Sequence, residues 1–230
     1  MEIFRFFDIS FSEISLDMNE AYKLMGYGEH TPGHEVLNII NEIYNELKHC
    51  CRPYFGYGLF EGKIIDKEHI QLNNTILNPG RLISSAMKNA ELFAAFTATA
   101  GNEFDNWLKQ IENQDDIVKY FIANTLGSVI AESAVSLVMK NLEQFAFEKN
   151  MCISNNYSPG YCNWMLVEQK KLLALFPSGM TKIQLTDSCL MLPIKSISGI
   201  VGIGRKVKKR PYGCEICKMK NCIKNQKKYN

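Results

Sequence analysis

The sequence predicts an α+β fold, and three observations support this prediction. The chain has 230 residues, of which 46% are hydrophobic and 22% are charged. This composition is typical of a folded protein with one sizeable core. Segments with the two-residue repeat of strands and segments with helical spacing both occur. They do not alternate as regular βα units, so a doubly wound parallel sheet is not expected.

The N-terminal half begins with a predicted strand, because Phe7, Ile9 and Phe11 alternate with polar residues. Asp17 can cap a short helix, and apolar residues recur at helical spacing from 36 to 47. Further along, the sequence favours extended structure over 53–79, a short helix over 81–89 and a buried strand over 91–99.

The C-terminal half is dominated by a long predicted helix from Asp115 to Asn150. Within it, Gly127 and Ser128 mark either a kink or a point of close packing. The remaining predictions are a strand over 151–157, a helix over 165–176 and three strands. Those strands are centred on 183–185, 190–192 and 197–203.

Charge divides the chain into a predicted domain over residues 1–204 and a basic tail over 205–230. The tail carries ten basic residues and one acid, about +9, which leaves about −7 on the rest. Such a tail can bind nucleic acid, an anionic surface or an acidic protein, or it can simply be solvated. Nucleic-acid binding is not expected, because only Tyr212 and Tyr229 could stack on bases.

The N-terminal residues do not resemble a secretory signal, and no uninterrupted run of about 18 apolar residues suggests a membrane span. We therefore expect a cytoplasmic protein without a membrane partner. In that compartment the eight cysteines are expected to be thiols or metal ligands rather than disulfides.

Three cysteines of the tail, Cys214, Cys217 and Cys222, have C-x2-C-x4-C spacing. Closely spaced thiolates suit zinc or an iron–sulfur cluster, since a short loop can direct several sulfurs at one metal centre. The tail lacks a fourth ligand, which an exogenous group or another cysteine could supply. The candidate cysteines are Cys50, Cys51 and Cys162. The alternative is that the tail cysteines are free thiols.

The stretch from Tyr157 to Gly204 has the character of a binding site. It opens with the rigid turn Ser158-Pro159-Gly160-Tyr161 and closes on small residues and glycines that allow close approach. Dinucleotide-binding, phosphate-loop, serine-hydrolase and HExxH signatures are absent from the sequence. Upstream, Glu132 places a carboxylate among small residues of the long helix. Taken alone, it is more typical of an exposed helix acid.

These pieces resemble the activation domain of cobalamin-dependent methionine synthase. The similarity rests on the turn Ser158–Tyr161, on the following helix with Gln169 and Leu172, and on the run LTDSCLMLPIKSISG. The segment Ala131-Glu132-Ser133 is similar to the acidic ligand-binding helix of that family. The resemblance covers the C-terminal half, and the cysteine tail resembles that of some stand-alone relatives.

The resemblance implies a twisted antiparallel sheet with flanking helices, and a domain that binds S-adenosylmethionine and docks on a cobalamin module. In that family, oxidised cob(II)alamin is reduced by a flavodoxin-type donor and then methylated. This chain resembles a free-standing version that serves methionine biosynthesis through a separate corrinoid protein or cobalamin-dependent methyltransferase. Cobalamin would belong to that partner, and a flavodoxin or ferredoxin would supply electrons.

Carried over residue by residue, the resemblance implies a ligand site with five members. They are Glu132, Asn156, Ser158, Gly160 and Tyr161. Asn156 departs from the family pattern, which has an arginine there to meet the ligand's carboxylate. A neutral amide is a weaker partner for a carboxylate than a guanidinium. Two alternatives therefore stand beside S-adenosylmethionine binding: a metal or redox accessory protein, and a non-enzymatic interaction module that has lost the ligand.

Overall fold

The computed structural model describes residues 3–210, and its strands fall in two sheets. The nine strands of this region are β1 (Ile3–Asp8), β2 (Tyr54–Ile64), β3 (Ile70–Leu72), β4 (Thr75–Leu77), β5 (Leu92–Thr99), β6 (Cys152–Ile153), β7 (Gln184–Leu185), β8 (Met191–Leu192) and β9 (Ser196–Gly204). Seven of them form one sheet in the order β4-β3-β2-β5-β9-β6, with β1 also paired to β2. Strands β7 and β8 form a separate hairpin.

The helices of the described region surround this sheet. They are α1 (Met18–Leu24), α2 (His34–Cys50), α3 (Gly80–Ala86), α4 (Asn102–Glu112), α5 (Ile117–Glu148) and α6 (Gln169–Leu173), with short 3-10 helices at Phe11–Glu13 and Leu166–Glu168. All strand pairings are antiparallel. The α+β prediction, with an antiparallel sheet and flanking helices, is therefore confirmed.

The central strand β2 is long enough to pair with two strands along one edge. Strand β1 pairs with Tyr54–Leu59 and β3 pairs with Gly62–Ile64, while β5 takes the opposite edge. Gly56 lies opposite Phe6 and Gly58 lies opposite Phe4. The aromatic rings fill the space where a glycine Cβ would stand, so large and small residues pack as cross-strand pairs.

The two faces of the sheet carry different helices, because side chains alternate along each strand. On β5, Ala94 and Phe96 pack against the cluster that contains Val135 and Val138 of α5. Phe93 and Ala95 point to the other face, which is covered by α3, α6 and the loop around Trp164. A third cluster joins α1, α2, α4 and the first half of α5.

Helix α5 has 32 residues and could cross a membrane by length and composition alone. The sequence expectation of no uninterrupted apolar run still holds, because polar residues and Glu132 interrupt the apolar stretch of the helix. In the fold, 67% of its most apolar window is buried. It packs against β2, β5 and β9, and we therefore interpret it as the core helix.

Local predictions hold where a capping or packing residue fixes the structure. Asp17 caps α1 by accepting a hydrogen bond from the Glu20 backbone N–H at 3.1 Å. Gly127 is a point of close packing, because a Cβ there would meet the Phe104 ring at 2.4 Å. The first strand ends at Asp8, so the predicted strand positions Ile9 and Phe11 were wrong.

Helix α4 was not predicted from the sequence. Phe104, Trp107 and Ile111 are buried at the three- and four-residue spacing of a helix. The Trp107 indole N–H donates to Glu46 of α2 at 2.9 Å, and the Lys119 ammonium of α5 donates to the same carboxylate at 2.9 Å. One carboxylate therefore joins three helices.

Replacing Glu46 with Gln should lower the free energy of unfolding by about 0.5–1.5 kcal/mol at neutral pH. The side chain is 42% exposed, so solvent screening keeps the effect small. Burial alone would raise the pKa of Glu46, but the hydrogen bonds from Lys119 and Trp107 outweigh it and lower that pKa. The stabilisation is therefore present above the unfolded-state pKa and is lost as pH falls through the folded-state pKa.

Urea denaturation of the wild type and of Glu46→Gln, measured from neutral to acidic pH, tests this prediction. Glu42→Gln, an exposed change on the same helix, is the matched control and should have little effect. A destabilisation of Glu46→Gln that stays constant down to the lowest pH would contradict the proposed ionic contribution.

Candidate functional site

The candidate site is built on an irregular strand at the edge of the main sheet. Strand β6 pairs with the end of β9, and the Ser154 backbone N–H donates to the Gly202 carbonyl at 2.8 Å. Tyr157 then pairs with Ile200 through two backbone hydrogen bonds of 3.0 and 2.8 Å. Gly199 allows this approach, because a Cβ there would lie 2.4 Å from the Tyr157 carbonyl oxygen.

The predicted turn Ser158-Pro159-Gly160-Tyr161 follows this pairing directly. The Tyr161 N–H donates to the Ser158 carbonyl at 3.2 Å, and Gly160 has a φ of +92°. Proline at the second position and glycine with positive φ at the third are typical of a type II turn. The rigid turn predicted from the sequence is therefore confirmed.

Trp164 fixes the far end of this turn. Its carbonyl accepts a hydrogen bond from the Gly160 N–H at 2.8 Å, and its own N–H donates to the Tyr161 carbonyl at 2.9 Å. The indole is 1% exposed and lies in the core with Tyr157 and Ile200. The turn is thus held at both ends by buried residues, which orients the groups between them.

Of the five predicted ligand residues, three lie in this turn, and Asn156 lies two residues before it. Asn156, Ser158 and Gly160 are half-buried, and Tyr161 is 40% exposed. The fifth residue, Glu132, lies on the exposed side of α5 between the buried residues Ala131 and Ser133. Because α5 packs against β6 and β9, the helix and the turn border the same edge of the sheet.

A cavity of about 400 Å³ opens beside the turn and is distinct from the predicted ligand site. It is bordered by Arg81 of α3 and by Cys162 and Asn163, which follow the turn. Glu168 lines it as well, and its carboxylate accepts from the Asn78 N–H at 2.7 Å and pairs with Lys171 at 2.7 Å. The cavity therefore lies on the α3 and α6 face, opposite α5.

The predicted tail ligands Cys214, Cys217 and Cys222 lie outside the described residues. Within residues 3–210, no group of three His, Cys, Asp or Glu side chains could hold a metal ion. Among the candidates for a fourth ligand, Cys51 is buried and its thiol donates to the Ala100 carbonyl at 3.4 Å. Burial raises the pKa of Cys51 strongly and also raises that of Cys50, so neither thiol is poised to become a thiolate ligand.

Sequence reasoning missed two residues beside the site, Trp164 and Lys195. Trp164 is one of only two tryptophans in the chain, and its position directly after a tight turn was the available signal. Lys195 is the single charged residue in the apolar run from Met191 to Gly204. Its ammonium group donates to the Ser128 hydroxyl of α5 at 3.0 Å.

These observations define a class of protein. It is an antiparallel α+β domain that carries a fixed type II turn at the edge of its main sheet. A family profile described as "Vitamin B12 dependent methionine synthase, activation domain" matches residues 82–221. This chain therefore belongs to the family of cobalamin-dependent methionine synthase activation domains. A search of curated proteins found no match.

Among solved structures, the fold is similar to one described as "Crystal Structure of the MetH Reactivation Domain bound to AdoHcy". The TM-score is 0.70 at 15% sequence identity, and the alignment covers 91% of this chain and 81% of the other. At this identity the likeness supports the fold. It agrees with the twisted antiparallel sheet that the family resemblance implied.

Replacing Gly199 with Ala should displace the Tyr157 backbone and destabilise the edge of the sheet by about 1–3 kcal/mol. The reason is that the added Cβ would meet a carbonyl oxygen and the Phe96 ring, at 2.4 and 2.7 Å. Chemical denaturation measures the loss. Gly33→Ala is the control, since nothing lies within 4 Å of its Cβ position, and it should cost below about 1 kcal/mol. Equal effects of the two substitutions would contradict the packing argument.

Proposed function

We propose that this protein binds S-adenosylmethionine at the Ser158–Tyr161 turn and assists reductive remethylation of a cobalamin-bearing partner. The observation that carries the proposal is the turn itself, which is fixed on β9 by the pairing of Tyr157 with Ile200. It stands in the fold of the activation-domain family, and a structural relative was crystallised with AdoHcy, the demethylated form of this ligand.

In this proposal the side chains bind and orient the ligand. Glu132 attracts the positively charged part of S-adenosylmethionine, and Asn156 offers a neutral amide. Ser158 and Gly160 contribute backbone groups, while the partly exposed Tyr161 ring covers the ligand. A methyl sulfonium needs alignment with its acceptor more than acid–base help. A catalytic side chain is therefore not required.

The chemistry would be completed by the partner. Its corrinoid, after one-electron reduction by a flavodoxin- or ferredoxin-type donor, takes the methyl group from the sulfonium and leaves S-adenosylhomocysteine. Membership of the activation-domain family implies a cobalamin-binding partner. We infer that the partner is a separate corrinoid protein or methyltransferase. A cytoplasmic setting is consistent with the five free cysteines of the described residues.

Exposed apolar residues next to the turn support docking of a protein partner. Met165, Leu166 and Val167 are consecutive and are 68%, 46% and 55% exposed, and Tyr161 precedes them. Contiguous apolar side chains at a surface are typical of protein contact sites. A corrinoid protein bound here would place its cofactor near the ligand turn.

Calorimetric titration of the full chain with S-adenosylmethionine tests the ligand proposal. Replacing Glu132 with Gln removes one charge at nearly constant volume and should weaken binding roughly 10- to 100-fold. Glu148→Gln, on the exposed end of the same helix, is the control and should leave the affinity unchanged.

Tight binding that is equally strong in Glu132→Gln would overturn the site assignment. The absence of any binding to the wild-type chain would overturn the ligand proposal and favour an interaction module that has lost its ligand. In that case the apolar loop residues, rather than Glu132, would control affinity for the corrinoid protein.

The tail motif supports a separate prediction of metal binding through Cys214, Cys217 and Cys222. Metal analysis of protein purified with and without oxygen should find about one zinc or one iron–sulfur cluster per chain. Replacing Cys217 with Ser should remove it, whereas Cys152→Ser, an exposed thiol of β6, should not. Protein without bound metal under both conditions would contradict this prediction and leave free thiols.

A further inference from the structure

We infer that Lys195 supplies the positive charge that recognises the ligand's carboxylate, a role that Asn156 cannot fill. This inference rests on the proposed function and extends it to a residue that is not among the five assigned from the family resemblance.

Three hydrogen bonds hold the backbone of Lys195 and of the residue before it, next to the start of β9. Its carbonyl accepts from the Ala100 N–H at 2.9 Å and from the Thr99 hydroxyl at 3.1 Å. The preceding Ile194 N–H donates to the Asp105 carboxylate at 2.7 Å. The side chain therefore extends from a fixed point, which lowers the entropy lost when it binds a ligand.

The Lys195 ammonium group is half-buried and donates to the Ser128 hydroxyl at 3.0 Å. Burial lowers its pKa, and the Asp105 carboxylate opposes that change. Among the described residues, no carboxylate lies within salt-bridge distance of this ammonium group. A partly desolvated cation with a neutral partner retains N–H donors that an anion can use.

Ser128 also places this cation on the face of α5 that carries Glu132. The two residues are four positions apart on α5, so they lie on the same face of the helix about 6 Å apart between Cβ atoms. The hydroxyl that holds the Lys195 ammonium is therefore one helical turn from the carboxylate assigned to the ligand. A positive group and a negative group therefore lie along the same face of α5, with Lys195 held at Ser128 and Glu132 four residues further on.

This arrangement matches the amino-acid end of S-adenosylmethionine. That end carries an ammonium and a carboxylate on one carbon, and it would pair them with Glu132 and Lys195 respectively. The chain from Tyr157 runs antiparallel to β9, so the turn at Ser158 continues towards the start of β9, where Lys195 lies. Lysine offers a point charge where arginine would offer a bidentate fork.

The test compares two ligands, S-adenosylmethionine and its decarboxylated analogue, by calorimetry on the full chain. Lys195→Met removes the charge and keeps the length of the side chain. It should weaken S-adenosylmethionine binding roughly 10- to 100-fold and leave binding of the decarboxylated analogue unchanged. Lys195→Arg should retain most of the affinity, because it keeps a positive charge at the same position.

Lys140→Met, an exposed lysine on α5, is the control for loss of a charge and should behave as the wild type. Circular dichroism of each variant verifies that it is folded. If Lys195→Met weakens both ligands equally, or neither, the inference is overturned while the proposed function stands. If the wild type binds neither ligand, both the inference and the proposed function fail.

Discussion

The pairing of Tyr157 with Ile200 is the contact on which the site depends. Two backbone hydrogen bonds join the residues. Because Gly199 has no Cβ, the Tyr157 carbonyl oxygen can approach its backbone closely. Everything that follows is positioned by this contact: the Pro-Gly turn, the Trp164 anchor and the apolar loop beyond it. A turn of this sequence on a free loop would adopt many orientations. Because it is fixed to β9, its backbone groups keep one orientation, which would lower the entropy lost when a ligand binds.

The sequence predicted the turn well because its structure is local. Proline sets one dihedral angle and glycine tolerates the next, so four residues suffice. Helix α4 also has a local signal, since Phe104, Trp107 and Ile111 have helical spacing, but three apolar positions in 11 residues are a weaker pattern than those of α2 and α5. The long helix α5 is apolar on most sides because it is buried by strands and by other helices. That α5 is the core helix can therefore be recognised only from the tertiary structure.

Lys195 could not have been assigned from the sequence. Its partner Ser128 is 67 positions away, and only packing of α5 against β9 brings the two together. The same is true of Glu46, whose carboxylate joins α2, α4 and α5. Both contacts join elements that are far apart in the sequence, and neither local propensity nor periodicity can predict such contacts. The sequence signal for Lys195 was only its isolation in an apolar run, and that signal does not identify a partner.

Ligand binding depends on where a charge lies in space, and different sequence positions can place a charge at the same point. Substitution at one motif position is therefore weak evidence that a function has been lost. In the site that we propose, Asn156 lacks the cation of the family pattern and Lys195 at the start of β9 supplies one, so the net charge around the amino-acid end of the ligand would be maintained. The two solutions differ in geometry, since a lysine can rotate its three donors whereas an arginine holds a planar fork. A site built on lysine should therefore be more tolerant of how the carboxylate is oriented, and should discriminate less sharply among ligands that share the amino-acid end.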